Sequence, residues 1–169
     1  MNLTTQRLSL SKLSENDAVF IQKLVNSEGW LTFIGNRNIN NQEAAITYIQ
    51  KINASENFIY WTVKITETNE PIGIITYIKR DYLEHHDIGF AFLSNFNGKG
   101  FAFEASKKVL EYLINNKNLK YILATTIPEN NSSIHLLKKL GLSHDKEIEI
   151  DKEILHVYKA SKHNLKLTN

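Results

Sequence analysis

The feature that most constrains the fold is a change of hydrophobic period at residues 97–102, whose sequence is NGKGFA. The preceding residues 87–93 (DIGFAFL) form a nearly continuous apolar run, which is typical of a strand buried on both faces. After the glycines, Ala105, Val109 and Leu113 recur at helical spacing. The sequence therefore predicts a buried strand that passes through a glycine-rich turn into a long helix.

The rest of the chain predicts further strands and helices. Strands are expected at residues 6–13, 58–65, 71–78, 87–93, 119–126, 142–150 and 154–160. Helices are expected after a capping box at Ser14, and at residues 42–52, 101–116 and 130–140. Residues 29–40 (GWLTFIGNRNIN) are expected to form an irregular loop, and the residues after Ser161 a frayed tail. The predicted order is β-α-α-β-β-β-α-β-α-β-β.

Composition narrows the classes of function. The length of 169 residues suits one domain over residues 1–169, and the absence of cysteine excludes disulfides, cysteine-ligated zinc and a thiol nucleophile. The net charge of +2 is too small to indicate nucleic-acid binding. The first ten residues lack the apolar core of a signal peptide, and no apolar stretch approaches the roughly 20 residues of a membrane span. We expect a cytoplasmic protein, and the abundant Lys, Asn and Ile favour a bacterial source.

Residues 97–102 have the chemistry of an anion site. The unpaired N–H groups of a helix N-terminus attract phosphate, glycines keep side chains away from those groups, and Lys99 adds a positive charge. Asn-Gly is also a hairpin signal, although the helical spacing that follows argues against a hairpin. The GxxxxGK[ST] phosphate loop is absent, and a dinucleotide fingerprint needs Gly or Ala in place of Phe103.

A second candidate site lies at residues 130–133 (NNSS), where another helix is expected to begin. Asn130 is a good N-cap residue, and capping alone explains its presence. If this helix starts beside the glycine turn, its polar side chains line the same cleft.

Three motifs together resemble the GNAT superfamily of acetyl-CoA-dependent N-acetyltransferases, in the branch that includes the ribosomal-protein N-terminal alanine acetyltransferases. The TxRLxLRxL strand of that branch is matched by Thr5, Arg7, Leu8, Leu10 and Leu13. Its EIGY strand and WGKGYATEA segment are matched by residues 87–90 (DIGF) and 97–105 (NGKGFAFEA). Its NxxSxxLLxKxGF segment is matched by Asn130, Ser133, Leu136, Leu137, Lys139 and Gly141, with Leu142 in place of Phe. The likeness covers about residues 5–160.

The resemblance implies a fold, a co-substrate and a reaction. The fold is α/β, with a splayed central mixed β-sheet of about seven strands flanked by about four helices. Acetyl-CoA lies in the cleft, and its acetyl group passes directly to a primary amine in a ternary complex, without a covalent intermediate on the protein. The residues implied to bind acetyl-CoA are Phe92, Leu93, Asn97, Gly98, Lys99, Gly100, Phe101, Ala102 and Asn130.

The catalytic residues depart from the family pattern. Many members use a tyrosine to protonate the leaving thiolate where this chain has Leu137, and the resemblance makes Ser133 the substitute, as a hydrogen-bond donor or through water. Asp87 stands at the acidic position of EIGY and is the candidate base. Alternatively, Asp87 is a structural carboxylate, or a water relay replaces a single base. Asn97 is shorter than the Gln or Arg that the family has there.

Only the family resemblance indicates where the acceptor amine binds, because in this family the loop after the first helix usually borders the acceptor. That loop implicates Trp30, Phe33, Asn36, Arg37 and Asn38. The two aromatic residues could equally belong to the core, and Arg37 could form a surface ion pair. The acceptor is left open between a protein N-terminus and a small-molecule amine.

Two other functions and two partner questions remain at this stage. A GNAT-like acyl-CoA sensor without turnover is the alternative function, and a nucleic-acid binder is a weaker third. No metal is expected, because adjacent His85 and His86 would point to opposite faces of a strand and the other histidines form no HxxxH pair. Exposed strands near the C-terminus could pair in a homodimer.

Overall fold

The computed structural model describes residues 2–167, which form eight strands and five α-helices. The strands are β1 (Asn2–Thr4), β2 (Leu8–Lys12), β3 (Phe58–Ile65), β4 (Pro71–Ile78), β5 (Asp87–Phe92), β6 (Tyr121–Thr126), β7 (Ser143–Ile150) and β8 (Glu153–Ser161). The helices are α1 (Ala18–Val25), α2 (Glu28–Phe33), α3 (Gln42–Ala54), α4 (Phe101–Lys117) and α5 (Asn131–Leu140). Within the described residues, no helix is both long and apolar enough to cross a membrane.

The strands form one mixed sheet in the order β1-β2-β3-β4-β5-β6-β8-β7. Every neighbouring pair is antiparallel except β5 and β6, which run parallel and are paired only at Asp87 and Leu123. Because the two strands meet only near the start of β5, they separate towards their carboxyl ends. The splayed mixed sheet that the family resemblance implies is therefore confirmed, with one more strand and one more helix than expected.

Helices cover both faces of the sheet. The helices α4 and α5 pack on one face around Trp61, Ile75 and Leu110, which are fully buried. The helices α1 to α3 pack on the other face, over Ile74 and the inward side of β3. The strand that is buried on both faces is β4. In β5, the residues after Ile88 are only half-buried. The prediction that β5 is covered on both sides is wrong, because β5 borders the gap that opens towards β6.

Two short elements escaped the sequence analysis. Strand β1 has only three residues, although Leu3 pairs with Leu10 on β2 and extends the sheet. Helix α2 lies inside the predicted irregular loop; its six residues include Gly29 and are too few to establish a helical period. Its one buried side chain is Trp30.

The C-terminal segment packs against the domain as far as the structure describes it. The N–H of Lys166 donates to the carbonyl of Leu140 at 2.9 Å, and Leu165 and Leu167 pack against the core on the α4 face. The prediction of a frayed tail is wrong for residues 162–167, and residues 168–169 lie outside the described part of the chain.

Candidate active site

The glycine turn links β5 to α4 at the end of β5 where the gap to β6 is open. A short 3-10 turn at Ser94–Phe96 follows β5, and Gly98 and Gly100 both have left-handed backbone conformations, with φ of 73° and 80°. The N-cap residue of α4 is Gly100, which has no side chain to cap the helix. Among the described residues, the first N–H groups of α4 therefore have no side-chain capping partner, as an anion-binding helix terminus requires. The hairpin alternative for residues 97–98 is excluded by this strand-turn-helix path.

Both glycines of the turn have a positive φ, which is the backbone conformation that favours glycine. A Cβ at Gly98 would meet no atom of the described residues within 4 Å. A Cβ at Gly100 would lie 3.5 Å from Nη2 of Arg7, which is an ordinary van der Waals contact. The expectation that the two glycines keep side chains away from a phosphate stays a prediction.

Arg7 supports the turn from beneath. Its Nη1 donates to the carbonyl of Lys99 at 3.1 Å, and its guanidinium lies 4.5 Å from the centre of the Phe101 ring. Its Nε and Nη2 lie 2.8 and 2.6 Å from Oε2 of Glu104. Partial burial would raise the pKa of Glu104, but hydrogen bonds from Thr5 and Arg7 hold it below its ordinary value. In the sequence, Arg7 and Glu104 belong to two separate motifs. Nothing in those motifs predicts that the two side chains are in contact, which only the folded structure shows.

The backbone of β5 divides its hydrogen-bonding groups between β4 and the gap. The N–H of Leu93 donates to the carbonyl of Ile72 at 2.9 Å, and the Leu93 carbonyl accepts from Phe96. Because these groups alternate along a strand, the N–H groups of Phe90 and Phe92 face away from β4, towards the gap. The N–H of Leu93, a predicted acetyl-CoA contact, is therefore used within the sheet. The N–H groups that face the gap include that of Phe90, which the sequence patterns did not single out.

Helix α5 begins on the β6 side of the gap. The Asn130 side chain accepts from the N–H of Ser133 at 3.1 Å, so Asn130 is an N-cap, which is the simpler of the two explanations considered for it. Ser133 is half-buried. Leu137 is fully buried among core residues of the α4 face and offers no group for proton transfer.

Asp87 lies where β5 and β6 meet, and it is 2% exposed. Its Oδ2 accepts from Nε of Arg80 at 2.8 Å. Its Oδ1 is buried and receives no hydrogen bond from any residue in the described part of the chain. Burial raises the pKa of the Asp87 carboxyl, and the charge of Arg80 only partly opposes that rise. Asp87 therefore forms an ion pair with Arg80, as a structural carboxylate would, and also has one oxygen without a hydrogen-bond donor among the described residues.

Tyr60 and Thr76 lie on the same face of the sheet as Asp87. The register places Tyr60 opposite Thr76, and Thr76 opposite Gly89, which is two residues along from Asp87. Burial raises the pKa of Tyr60 and its neighbour Tyr48 adds to the rise, while the charges of Arg80 and Arg37 oppose it. Tyr48, Tyr60 and Arg80 were missed by the sequence analysis because they lie on separate elements that only the fold brings together.

The predicted acceptor residues divide into core and surface. Trp30, on α2, is 6% exposed and packs in the core between the helices α1 to α3 and the sheet. Its Nε1 has no hydrogen-bond partner among the described residues. Arg37 lies 6.0 Å from the centre of the Trp30 ring, and Phe33 is 41% exposed. Asn38 is exposed in a left-handed conformation, with its N–H bonded to the side chain of Asn36.

Comparison with known proteins identifies the family. The sequence profile of the acetyltransferase (GNAT) domain matches residues 7–143. The uncharacterized N-acetyltransferase YnaD of Bacillus subtilis is 29% identical over 142 residues, which cover 84% of this chain and 82% of the relative. The chain therefore belongs to the GNAT acetyltransferase family and is an acyltransferase, as the three motifs predict.

Solved structures agree on the fold. The ribosomal-protein-S5-alanine acetyltransferase from Vibrio fischeri matches with a TM-score of 0.80 at 18% identity, over 98% of this chain and 99% of that one. The spermidine N-acetyltransferase from Vibrio cholerae, in complex with CoA and spermine, matches with a TM-score of 0.81 at 17% identity, over 95% and 98% of the two chains. At these identities the likeness establishes the fold and leaves the acceptor to other evidence.

Proposed function

We propose that the chain acts as one acetyltransferase domain that transfers an acetyl group from acetyl-CoA to a primary amine, by direct attack in a ternary complex. The observation that carries the proposal is the arrangement along β5. An uncapped helix terminus lies beyond its carboxyl end, and a buried carboxylate with an unused oxygen lies at its start. The five residue steps from Asp87 to Phe92 span about 17 Å, a distance comparable to an extended pantetheine arm.

The turn supplies the anchor for the co-substrate. The N–H groups at the start of α4 bind the pyrophosphate, and Lys99, whose ammonium lies 5.4 Å from the centre of the Phe96 ring, adds a positive charge at the exposed turn. The N–H groups of Phe90 and Phe92 face the gap and bind the pantetheine arm and the carbonyl oxygen of the thioester. Acetyl-CoA supplies the activated carbonyl, and a preformed N–H donor stabilises the negative charge that develops on its oxygen.

Asp87 acts as the general base, and Ser133 acts as a hydrogen-bond donor to the leaving group. The Oδ1 atom of Asp87 accepts a proton from the attacking amine, directly or through water, while Arg80 holds the other oxygen in place. The raised pKa of Asp87 suits this role, because a stronger base accepts a proton more readily near neutral pH. Ser133 lies at the start of α5 on the opposite side of the gap and donates a hydrogen bond to the departing sulfur.

The acceptor binds on the α1 to α3 face, beside Tyr60 and Arg37. The Vibrio relatives of the same fold are named for a ribosomal-protein alanine and for spermidine, so both chemistries belong in an acceptor screen. Arg37, whose charge acts on Tyr60, disfavours a polycation at this face and favours an amine that carries a carboxylate or carbonyl group nearby. We therefore place peptides with a free N-terminus ahead of polyamines.

Thiol release from acetyl-CoA tests the proposal. Purified protein is incubated with acetyl-CoA and a panel of N-terminal peptides, amino acids and polyamines, and free CoA thiol is measured over time. Amine-dependent thiol release is expected with at least one acceptor. Saturable acetyl-CoA binding with no thiol release from any amine would overturn catalysis and leave the acyl-CoA sensor.

A further inference from the structure

The hairpin of β7 and β8 gathers three metal-ligating side chains far from the glycine turn in sequence. One potential ligand atom from each of His144, Glu147 and His156 lies within 4.8 Å of the other two. Nε2 of His156 is 3.1 Å from Oε1 of Glu147, and the rings of His144 and His156 meet edge to face with centres 5.0 Å apart. None of the acetyltransfer roles assigned above uses these residues.

A β-bulge makes the cluster. In a regular strand, His144 and Glu147 would point to opposite faces, because they are three positions apart and side chains alternate between the two faces. The register shifts between His144 and Lys146, where the partners pass directly from Tyr158 to Val157 and Asp145 remains unpaired. The extra residue brings His144 and Glu147 to one face, opposite Tyr158 and His156. Bulges re-aim side chains, and this one completes a three-ligand set that the sequence spacing conceals.

The chemistry of the set favours a divalent transition metal. Two imidazoles and one carboxylate suit zinc, nickel or copper, whereas calcium and magnesium prefer oxygen ligands alone. Ligand atoms that share one zinc at about 2.0–2.2 Å lie about 3.3 Å apart. The three ligand atoms, which lie within 4.8 Å of one another, therefore need to approach by about 1.5 Å at most. His144 and Glu147 are exposed and His156 is half-buried, which leaves room for water at the remaining positions.

We propose that His144, Glu147 and His156 form a binding site for one divalent transition-metal ion, with zinc as the reference ligand. The ion clips β7, the edge strand of the sheet, to β8. His156 also pairs with Thr126, the last residue of β6, so the clip lies beside the segment that leads into α5. The simpler alternative is a surface contact between Nε2 of His156 and Oε1 of Glu147, with His144 packed edge-on against Tyr158.

Calorimetric titration of the tag-free full chain with zinc separates the two explanations. We expect one zinc ion per chain, and at least about tenfold weaker binding in each of His144→Ala, Glu147→Gln and His156→Ala. His163→Ala is the matched control, because His163 is also exposed but lies outside the hairpin, and it should bind as the wild type does. Magnesium in place of zinc should give no binding.

A thermal melt provides a second readout that does not depend on acetyl transfer. Zinc should raise the melting temperature of the wild type and of His163→Ala, because a ligand that binds only the folded state stabilises it. The increase should disappear in His144→Ala, which removes a ligand and keeps the contact between His156 and Glu147. A wild type without zinc binding, or three hairpin variants that bind as well as the wild type, would overturn the site.

Discussion

The carboxylate of Glu104, on the first turn of α4, accepts hydrogen bonds from both the backbone N–H and the guanidinium of Arg7, which lies just before β2. The contact joins two segments of the fold that are 97 residues apart in the sequence. Since Arg7 also bonds the carbonyl of Lys99, this ion pair holds the shape of the glycine turn. The side chains that form the turn's support are thus separate from the N–H groups proposed to bind the co-substrate.

Removing the support should weaken acetyl-CoA binding without touching it directly. For Arg7→Ala we expect the KM for acetyl-CoA to rise about tenfold, which corresponds to about 1.4 kcal/mol, with a smaller change in kcat. Glu111→Gln is the control, because Glu111 is on the same helix and forms only a surface pair with Lys108 at 3.8 Å. An unchanged KM in Arg7→Ala would contradict the supporting role.

The same ion pair predicts a pH dependence of stability. The pKa of Glu104 is lowered in the folded state, so its stabilising contribution is present above the unfolded value of about 4.3 and is lost as the pH falls through the folded value. We expect Glu104→Gln to reduce the free energy of unfolding by about 1–2 kcal/mol near pH 7. Urea unfolding should show the difference shrinking below about pH 4. A difference that is constant with pH would mean that the charge of Glu104 is irrelevant.

Asp87 should control the acid limb of the rate profile. Burial raises its pKa, and the base must be ionised, so kcat/KM should fall as the pH drops through a value above the ordinary 3.9 of aspartate. Asp87→Asn should lower kcat by about a hundredfold or more and remove that limb. Asp81→Asn, on the exposed loop after Arg80, is the control. A wild-type rate and profile in Asp87→Asn would leave Asp87 as a structural partner of Arg80.

Ser133 and its neighbour provide a matched pair at the start of α5. Ser133→Ala removes the proposed donor to the sulfur but retains the N–H that the Asn130 cap uses, so about a tenfold loss of kcat is expected with little loss of stability. Ser132→Ala changes an exposed hydroxyl on the same turn and should be neutral. Equal rates in the two variants would remove Ser133 from the mechanism.

The C-terminal segment should contribute to stability through Gly141. This residue has a φ of 97°, and a Cβ there would lie 2.2 Å from the carbonyl oxygen of Asn164. Gly141→Ala should therefore lower the free energy of unfolding by at least about 2 kcal/mol, through backbone strain and displacement of residues 162–167. Gly29→Ala is the control, since a Cβ at Gly29 meets nothing within 4 Å. Comparable melting temperatures for the two variants would contradict the packing of this segment.

Sequence patterns predicted what depends on local periodicity. The strand-turn-helix unit around Gly98 and Gly100 carries its own signal, because a buried strand, two glycines and a helical stripe are contiguous in the chain. The family motifs added the splay of the sheet, which a single residue pair between β5 and β6 confirms. Helix α2 and strand β1 are too short for a periodic pattern. Packing in the fold stabilises them, since Trp30 of α2 is buried in the core and β1 pairs with β2.

Contacts between distant elements could not be predicted in the same way. The choice between Phe90 and Leu93 depends on which N–H groups β4 already uses, and that requires the register. The charges of Arg80 and Arg37 act on Tyr60 only after three separate segments of the chain assemble. His144 joins Glu147 because of a bulge that leaves no mark in the spacing.

The most direct test of the central claim is a calorimetric comparison of acetyl-CoA with acetyl-pantetheine, which has the same thioester but lacks the pyrophosphate and nucleotide. If the N–H groups at the start of α4 hold the pyrophosphate, acetyl-CoA should bind with one-to-one stoichiometry, at least about a hundredfold more tightly than acetyl-pantetheine, or by about 2.7 kcal/mol. Equal affinities for the two donors, or no binding of acetyl-CoA, would contradict the account.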